Sequence, residues 1–516
     1  METQRPVGAI VLAAGLGTRM KSERAKVLHP LGGRPLISYP LAALRRIDVD
    51  PIVVVVGYQA EAVRDACKPY APKFALQTEQ RGTGHATRAA RAALRGFDGD
   101  LLLVYGDLPF LRPETFRRLI AAHQRAQARL SLLTATVKDP VGFGRIVRDP
   151  RGRVARIVED RDCSVAERGL CEINVGLYCA AADFLFDILE HLKPGNAQRE
   201  LYLTDIVALA AAQGARIADA RAAAREGAQI SSRADLAARE KTLREEINDR
   251  WMAAGVTLDD PATAYIGPDV QIGRDTVIGP NVVLRGRTRI GRRCRVDGSA
   301  FITDATVGND VHLKFCVVLT GAMVADQAQV GPFAQLRPGT RLGPGVHVGD
   351  FVETKNAVVG AGTKAMHLAY LGDTEIGEHA NIGAGTITCN YDGFHKHRTV
   401  IGDRVQVGSD SQLVAPVTVG HDAYVATGTT VRQDVAPGAL VFNAKDERQH
   451  AGWVTARRAR EAARADLPSP ARSRARGAGR TKQAVPGRGS AGAVTKRSAR
   501  SVARSLTRRK RQPKRR

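Results

Sequence analysis

Three groups of residues in this sequence could do chemistry, and the first is a turn that could hold phosphate. An apolar strand at 8–12 runs into a turn with glycines at 15 and 17, which is closed by Arg19 and followed by Lys26. Glycines let backbone amides close around phosphate oxygens, and the two cations add positive charge. Most turns of this kind bind no phosphate. Its position at the end of the first strand, where parallel sheets bind ligands, favours a polyphosphate site.

The second group is a carboxylate at the end of another apolar strand. Tyr105, Gly106 and Asp107 follow the aliphatic run 101–104. A strand-end carboxylate can hold Mg²⁺, which neutralises phosphates and aligns them for in-line attack. The aspartate could equally be a cap for the turn before Pro109, and the pattern alone does not decide between the two.

The third group surrounds His367 in the glycine-rich second half. Amide formation by acyl transfer needs a base for the attacking amine, and neutral imidazole is available at physiological pH. A lone histidine among aliphatic residues is more often structural, but Lys364 and Tyr370 give this one a polar context. Arg337 and Lys355 could bind a phosphorylated substrate or could be solvated corners of a repeat.

Length and composition limit the architecture that must position these residues. The chain has 516 residues, of which 44% are hydrophobic and 5% aromatic, with 51 glycines, so we expect several turn-rich domains built on small and aliphatic residues. No apolar run approaches the roughly 18 residues of a membrane helix. The stretch 7–17 has the length of a signal-peptide core, but only Arg5 precedes it and no cleavage site follows. Seven widely spaced cysteines without a CxxC pair predict reduced thiols and a cytoplasmic location.

Residues 7–232 alternate short aliphatic strands with helical stretches. We expect strands at Gly8–Leu12, Ile52–Val56 and Leu101–Val104, and helices at Ala86–Leu94 and Glu114–Arg129. Strands without polar alternation are buried on both faces, which predicts a mostly parallel, Rossmann-like sheet wrapped by helices. Ser231 and Ser232 can then cap a charged connecting helix over Asp235–Met252.

Beyond the connecting helix the period of the sequence becomes six. Aliphatic–glycine pairs begin at Ile266, Ile272, Ile278, Ile290, Val330, Leu342, Val348, Ile376, Ile382, Ile401, Val407 and Val419. A short strand and a tight turn repeated every six residues predict a parallel β-helix. The phase slips near Val359 and Leu371, and residues 388–400 interrupt it. Insertions in such a repeat lie on one face and often carry function.

These patterns divide the chain into five predicted segments. They are an α/β domain at 1–233, a linker helix at 234–256, a β-helix at 257–442, a C-terminal arm at 443–466 and a disordered basic tail at 467–516. The net charge is +25, but the tail holds 17 Lys and Arg and no acid, so the rest carries 60 basic and 52 acidic residues, or +8. Such a tail could attract polyanions without sequence preference, or could only aid solubility.

The phosphate turn reads L-A-A-G-x-G-T-R-M and is followed by a lysine and a leucine, which resembles sugar-phosphate nucleotidyltransferases. Residues 77–86 read Q-T-E-Q-R-G-T-G-H-A, and further motifs stand at 142–145, 158–159, 172–174 and 203–205. In the second half the motifs are R-P-G, F-V-E-x-K, K-A-x-H-L-x-Y-L-G-D and N-I-G-A-G-T-I-x-C-N-Y-D-G. Over most of residues 7–460 the chain resembles the bifunctional N-acetylglucosamine-1-phosphate uridyltransferase / glucosamine-1-phosphate acetyltransferase family.

The resemblance implies a fold and a set of roles for the first half. It implies a nucleotidyltransferase domain joined by a long helix to a left-handed parallel β-helix. It assigns catalytic roles to Arg19 and Lys26 and a Mg²⁺ ligand to Asp107. The residues implied to bind UTP or UDP-N-acetylglucosamine are Leu12, Ala13, Ala14, Gly15, Lys26, Gln77, Gly82, Thr83, Tyr105, Gly106, Asp107, Gly144, Glu159, Asn174 and Thr204.

For the second half the resemblance implies an acetyltransferase in which His367 is the catalytic base. The residues implied to bind glucosamine-1-phosphate are Arg337, Lys355, Tyr370, Asn381 and Lys396, of which Lys396 would reach a neighbouring subunit's site. Those implied to bind acetyl-CoA are Ala384, Asn390, Tyr391, Ser409 and Thr427. The family implies a homotrimer with acetyl-transfer sites between subunits.

The sequence departs from the family pattern at three places. Ala25 replaces the usual proline before the loop lysine, which we expect to alter loop stiffness. Ser231 stands where the family has a metal-binding asparagine, and a hydroxyl is a shorter and poorer donor to a hard cation. Ala444, followed by Lys445, stands at a usual coenzyme-contacting arginine, so the forked geometry is lost.

The expected function is a two-step synthesis of UDP-N-acetylglucosamine. Acetyl-CoA acetylates glucosamine-1-phosphate, and the product then reacts with UTP in the presence of Mg²⁺ and releases pyrophosphate. One alternative is a monofunctional sugar nucleotidyltransferase of other specificity with a β-helix that serves only as a spacer. Another is a non-catalytic regulatory homologue. The presence of Arg19, Lys26, Asp107 and His367 argues against both.

Overall fold

The computed structural model describes residues 5–444 and 446–465. Of these, the residues up to 444 fall in one compact unit and those from 446 to 465 in a second. The tail predicted at 467–516 and Lys445 lie outside the described residues. The five predicted domain boundaries stay predictions.

The first half contains the predicted mostly parallel sheet. The strands of this half are β1 (Val7–Ala13), β2 (Pro30–Leu31), β3 (Arg34–Pro35), β4 (Ile52–Val56), β5 (Lys73–Leu76), β6 (Asp100–Tyr105), β7 (Leu130–Thr136), β8 (Arg145–Arg148), β9 (Val154–Val158), β10 (Glu172–Ala181) and β11 (Ile217–Arg221). Strands β2 and β3 form a separate hairpin. The main sheet has nine strands in the order β11-β7-β10-β6-β1-β4-β5, with β8 and β9 attached beside β10. Strand β1 runs parallel to β4 and β6, whereas β10 runs antiparallel to β6 and β7.

Helices cover the faces of this sheet. They are α1 (Ser38–Leu44), α2 (Ala60–Cys67), α3 (Thr83–Ala89), α4 (Pro113–Arg125), α5 (Val165–Arg168), α6 (Ala182–Leu189) and α7 (Asp205–Ala212). The central strands are buried along their length, as continuous aliphatic runs require. Helix α4 is shorter than predicted because Gln127 adopts a left-handed φ of 46° and β7 begins at Leu130.

The connecting helix α8 (Arg233–Ala253) begins where the serine pair predicted. The Ser232 hydroxyl accepts a hydrogen bond from the Asp235 amide, and the Asp235 carboxylate accepts one from the Ser232 amide. This capping box satisfies two backbone donors that a helix start leaves free. The carboxylate of Glu240 on the same helix accepts a hydrogen bond from the Gly32 amide in the β2–β3 hairpin, so α8 is held against the first domain.

The second half is a parallel β-helix with three faces, and face 1 is one sheet of 11 strands. Its strands are Thr257–Leu258, Val277–Ile278, Arg295–Val296, His312–Leu313, Gln329–Val330, His347–Asp350, Lys364–His367, Asn381–Ile382, Gln406–Val407, Tyr424–Val425 and Leu440–Val441. Buried aliphatic side chains from every coil form one continuous core along the axis. The predicted six-residue period is therefore the spacing of successive faces.

Faces 2 and 3 together form a sheet of 17 strands. Face 2 consists of Tyr265–Ile266, Val283–Arg285, Phe301–Thr303, Val318–Thr320, Gln335–Leu336, Ile387–Cys389, Gln412–Val414 and Thr430–Val431, and face 3 of Gln271–Ile272, Arg289–Ile290, Thr306–Val307, Met323–Val324, Arg341–Leu342, Thr399–Ile401 and Val417–Val419. The long strands Glu353–Val359 and Tyr370–Ile376 pass from face 2 to face 3. The predicted phase slips fall within these two strands.

A helix, α9 (Trp453–Ala465), lies in the second unit. No helix among the described residues is long and apolar enough to span a membrane. All seven cysteines are free thiols. The cytoplasmic location stays a prediction.

Candidate active sites

A cleft of about 470 Å³ opens at the carboxyl ends of β1 and β6, where parallel sheets bind ligands. Thirteen of the predicted nucleotide- and sugar-binding residues line it, namely Leu12, Ala13, Ala14, Gly15, Lys26, Gln77, Gly82, Thr83, Tyr105, Asp107, Gly144, Glu159 and Asn174. Gly106 lies behind its wall, where its amide donates to the Leu12 carbonyl. The tertiary structure thus gathers residues that are spread over more than 160 positions of the sequence.

The phosphate turn brings Lys26 to the carboxylate at the strand end. Gly17 has a φ of +63°, and a Cβ there would lie 2.6 Å from the Cβ of Lys26. A glycine is therefore required for the close approach of the two segments. The Nζ of Lys26 lies 2.5 Å from Oδ2 of Asp107, a side chain that is almost fully buried. This pair joins the first two groups of candidate residues into one site.

Three further groups surround Asp107. The side-chain amide of Gln229 donates to Oδ1 of Asp107 at 3.5 Å, and the backbone amide of Ile230 donates to the Asp107 carbonyl. The next residue, Ser231, accepts a hydrogen bond at its Oγ from Arg19 at 3.1 Å. Arg19 and Ser231 therefore lie together just before α8, next to Ile230, which contacts Asp107.

The donor set around Asp107 suits a hard cation. It offers the Asp107 carboxylate and the Ser231 hydroxyl, and Mg²⁺ is commonly bound by one or two carboxylates with the remaining ligands from phosphates and water. Among the described residues no group of three or more His, Cys, Asp and Glu side chains could hold a metal ion alone. A cation held by Asp107 would take its remaining ligands from phosphate oxygens or water.

The end of the cleft around Glu159 and Asn174 is polar. The Thr204 hydroxyl donates to Oε1 of Glu159 at 3.1 Å, and the Asn174 side chain donates to the Tyr178 hydroxyl at 2.6 Å. Burial raises the pKa of Glu159; the hydrogen bond from Thr204 opposes that rise and the charge of Asp205 adds to it. A carboxylate held in this way can accept hydrogen bonds from sugar hydroxyl or amide groups.

The wall next to the phosphate turn is fixed by backbone contacts. The buried Gln77 side chain donates to the Gly82 carbonyl at 3.2 Å. Gly82 has a φ of +105°, and a Cβ there would meet the Leu201 carbonyl oxygen at 2.6 Å. The Thr83 hydroxyl accepts from the Leu203 amide at 2.9 Å. These contacts hold an amide and a hydroxyl rigidly at the rim of the cleft.

On the β-helix, His367 is the last residue of a face 1 strand. We call the turn that follows, from face 1 to face 2, the His367 corner. Oδ1 of Asp350, on the preceding coil, lies 2.6 Å from Nδ1 of His367. The next coils place three predicted coenzyme residues at the same corner, since each follows a face 1 strand: Ala384, Ser409 and Thr427. The Ala384 carbonyl accepts from the Asp410 amide, which stacks these coils directly.

The predicted phosphate-binding residues lie at the other edge of face 2. We call the turn from face 2 to face 3 the Lys355 corner. Arg337 is there, its amide donating to the Thr354 carbonyl and its guanidinium to Glu353 at 2.7 Å. Lys396, from the insertion, lies so close to Lys355 that it lowers the pKa of the Lys355 ammonium. Two ammonium groups held together in this way favour an anion between them.

Two more predicted residues belong to the Lys355 corner. The Asn390 side chain donates to Oδ2 of Asp373 at 2.5 Å, and the Tyr391 hydroxyl donates to the Gly393 carbonyl at 2.6 Å. Tyr370 lies on face 2, paired with Glu353 and Ile387. Asn381 lies on face 1, at the start of a strand paired with Lys364. A single chain therefore does not bring all predicted acetyltransfer residues together.

Comparisons with known proteins place both halves. Residues 9–171 match the MobA-like NTP transferase domain, and residues 398–433 match the hexapeptide repeat of succinyl-transferase. The chain is 49% identical over 449 residues to a protein of Pelobacter propionicus named Bifunctional protein GlmU, covering 87% of this chain and 98% of that protein. A protein of the same name from Anaeromyxobacter sp. is 50% identical over 477 residues, with 91% and 97% covered. This chain belongs to the bifunctional GlmU family. A third member, from Syntrophotalea carbinolica, is 48% identical with 87% and 96% covered.

Membership of the GlmU family confirms the predicted family and enzyme class, and with them the two-step synthesis of UDP-N-acetylglucosamine. The chain takes nucleotide, sugar-phosphate and acyl-CoA substrates. The α/β nucleotidyltransferase domain and the hexapeptide β-helix are confirmed as well. The alternatives of a spacer β-helix and of a non-catalytic homologue are set aside.

Sequence reasoning missed several residues of this GlmU family member. Gln80, Tyr202 and Gln229 line the cleft, and Asp350 contacts His367. Gln80 lies inside the motif at 77–86 and Tyr202 directly precedes the one at 203–205, so both motifs carried the signal. Nothing in the local sequence marks Gln229 or Asp350, because their partners are distant along the chain or one coil away.

Proposed function

We propose that the cleft is the uridylyltransfer site and that Lys26 and Asp107 lie at its phosphate end. The observation that supports this most is the contact of the Lys26 ammonium with the buried Asp107 carboxylate at the end of the phosphate turn. Gln77, Gly82 and Thr83 would contact the uracil, and Glu159, Asn174 and Thr204 the N-acetylated sugar. Arg19 and Lys26 would neutralise the phosphates of UTP.

A Mg²⁺ ion fits the donors around Asp107 and, when bound, would neutralise phosphate charge and support in-line displacement of pyrophosphate. The chain's own residues would orient the reactants. The Lys26 ammonium would bind the phosphates, and the Glu159 carboxylate would accept hydrogen bonds from the sugar hydroxyls. Ser231 remains the second proposed ligand, at the hydroxyl that Arg19 contacts.

We propose further that the β-helix carries the acetyltransfer site. His367 would accept a proton from the amine of glucosamine-1-phosphate, and Arg337, Lys355 and Lys396 would bind its phosphate. Tyr370 and Asn381 would contact the sugar. Acetyl-CoA would lie along Ala384, Ser409 and Thr427 and would also contact Asn390 and Tyr391. The row of small residues at the His367 corner supports this, since it leaves room for an extended ligand beside the imidazole.

The predicted homotrimer is part of this proposal. The coenzyme residues are split between two corners of one chain, and Asn381 lies on a different face from Tyr370. Neighbouring chains packed side by side would bring such groups together.

Exposed phenylalanines also line the His367 corner, where the rings of Phe333 and Phe351 stack at 5.4 Å. A row of exposed aromatic residues is typical of a surface that another chain covers. Size-exclusion chromatography with light scattering tests the trimer.

The test of the whole function is mass spectrometry of the products formed from glucosamine-1-phosphate, acetyl-CoA, UTP and Mg²⁺. We expect UDP-N-acetylglucosamine when all four are present. Omission of acetyl-CoA should leave glucosamine-1-phosphate unchanged, and omission of UTP should stop the reaction at N-acetylglucosamine-1-phosphate. A parallel reaction replaces UTP with ATP, CTP, GTP or dTTP, and faster formation of a nucleotide sugar from any of these would contradict the proposed specificity.

Replacing Ser231 with asparagine should lower the Mg²⁺ concentration that half-saturates uridylyl transfer. An amide oxygen reaches further than a hydroxyl and is a better donor to a hard cation. Direct Mn²⁺ binding, followed by electron paramagnetic resonance, should tighten in parallel, while acetyl transfer stays unchanged. Ser232→Asn is the matched control, since asparagine is also a good helix N-cap. Unchanged cation binding in Ser231→Asn would mean that Gln229 or water already fills the position.

Replacing Glu159 with glutamine should weaken sugar binding and stabilise the fold at neutral pH. Loss of hydrogen bonds to a charged group should raise the KM for N-acetylglucosamine-1-phosphate about tenfold or more.

Burial raises the pKa of Glu159, so the folded protein binds this proton more tightly than the unfolded chain and loses stability as pH rises through that pKa. The variant should therefore resist urea better than the wild type near about pH 8, with the difference shrinking towards about pH 4.5. If the variant and the wild type had the same urea midpoint as each other at both pH values, this expectation would be contradicted.

A further inference from the structure

The contact between His367 and Asp350 is built into the coil geometry. The strands His347–Asp350 and Lys364–His367 pair in parallel, and Asp350 is the register partner of His367. The Asp350 carbonyl also accepts a hydrogen bond from the Leu368 amide at 2.8 Å. Adjacent residues in the same register of a parallel pair carry their side chains side by side, so the contact does not depend on a flexible loop.

Gly349 makes this close approach possible. A Cβ at position 349 would overlap the carbonyl oxygen of Met366. Any residue other than glycine would therefore prevent the observed approach of the two backbones. Because Gly349 and Met366 immediately precede Asp350 and His367, the two strands are fixed at the point where the carboxylate meets the imidazole.

The contact determines which nitrogen of His367 can act as a base. Nδ1 of His367 lies 2.6 Å from Oδ1 of Asp350, and an ionised carboxylate only accepts hydrogen bonds. Nδ1 must therefore carry the proton. In the neutral imidazole the other nitrogen, Nε2, then has a free lone pair.

The pair adds little to the stability of the fold. The side chains of His367 and Asp350 are 64% and 38% exposed, and ion pairs with this exposure are largely screened by solvent. A second pair on the same β-helix has almost the same exposure, 60% for His421 and 37% for Asp403, but a longer separation of 3.3 Å. Neither residue of this second pair is among the predicted substrate- or coenzyme-binding residues, and Nδ1 of His421 accepts a hydrogen bond from the Asp403 backbone amide. Asp403→Asn therefore controls for the loss of an exposed carboxylate beside a histidine, without changing a tautomer.

We propose that Asp350 is a positioning residue for acetyl transfer: it holds His367 in the tautomer with a free Nε2 and stabilises the imidazolium that forms. The proposal rests on the proposed role of His367 as the base. The amine nitrogen of glucosamine-1-phosphate attacks the thioester carbonyl of acetyl-CoA, a C–N bond forms and the C–S bond breaks. Nε2 takes the proton from the amine and returns it to the departing coenzyme A thiolate.

The test compares four full-length variants: Asp350→Ala, Asp350→Asn, Asp403→Asn and His367→Ala. We expect Asp350→Ala to lower the kcat of acetyl transfer about 10- to 10²-fold, the range for a lost hydrogen bond to a charged group, with both KM values within about twofold. Asp350→Asn should recover part of the rate, because an amide oxygen still accepts from Nδ1. Asp403→Asn should keep the wild-type kcat, and uridylyl transfer should be unchanged in all four.

Three outcomes would overturn the inference. One is a wild-type kcat in Asp350→Ala while His367→Ala is inactive, and another is a raised KM without a change in kcat. The third is an equal loss in Asp403→Asn. If His367→Ala itself keeps acetyl transfer, the proposed base is wrong, which is a different failure from that of Asp350. Uridylyl transfer and the melting temperature identify any variant that misfolds. If Asp350→Ala misfolds, the nearly isosteric Asp350→Asn replaces it, and a wild-type kcat in that variant would contradict the proposal.

Discussion

Replacing His367 with alanine is expected to lower acetyl transfer about 10²- to 10⁴-fold, the usual cost of losing a general base. At about 1.36 kcal/mol per tenfold, this corresponds to roughly 3–5 kcal/mol of barrier. The imidazole is exposed at the end of its strand, so its removal leaves no cavity in the β-helix core. Release of coenzyme A measures the reaction.

The control for His367→Ala is uridylyl transfer from UTP to N-acetylglucosamine-1-phosphate, measured by pyrophosphate release. It should keep the wild-type rate, because the cleft is formed by residues of the first domain. If acetyl transfer remained above about a tenth of the wild-type rate, His367 would be structural, and the base would have to be another group.

Replacing Asp107 with alanine should lower uridylyl transfer by about 10²-fold or more and spare acetyl transfer. The change removes the buried carboxylate against which Lys26 is held and leaves that ammonium without its partner. It also removes the proposed cation ligand, whose stabilisation of phosphoryl charge is worth several kcal/mol. The expected pattern is the reverse of that in His367→Ala.

A direct binding measurement separates the possible causes of a loss in Asp107→Ala. Mn²⁺ binding in the presence of UTP should weaken strongly in the variant, whereas Asp205→Asn, at the start of α7, should bind Mn²⁺ like the wild type. Loss of both activities together would indicate misfolding. Wild-type Mn²⁺ affinity in Asp107→Ala would place the cation elsewhere in the cleft.

The sequence by itself determined the architecture, because periodicity and chain order are local properties. The six-residue spacing predicted the β-helix, and even its phase slips near Val359 and Leu371 mark the two strands that pass between faces. Unbroken aliphatic runs predicted the buried parallel strands, and Ser232 marked the start of α8. Motif resemblance then assigned thirteen residues that line one cleft.

Only the tertiary structure decided which side chains meet. Asp350 and His367 are 17 positions apart and touch because one turn of this β-helix stacks them in register. Gln229 reaches Asp107 across 122 positions, and Lys396 lies beside Lys355 because the insertion reaches a residue two coils earlier in the stack. It also separated residues that the motifs had grouped, since Asn381 and Tyr370 lie on different faces of one chain. A side chain's neighbours depend on strand register and coil stacking, and these follow from the packing of the whole core rather than from any local pattern.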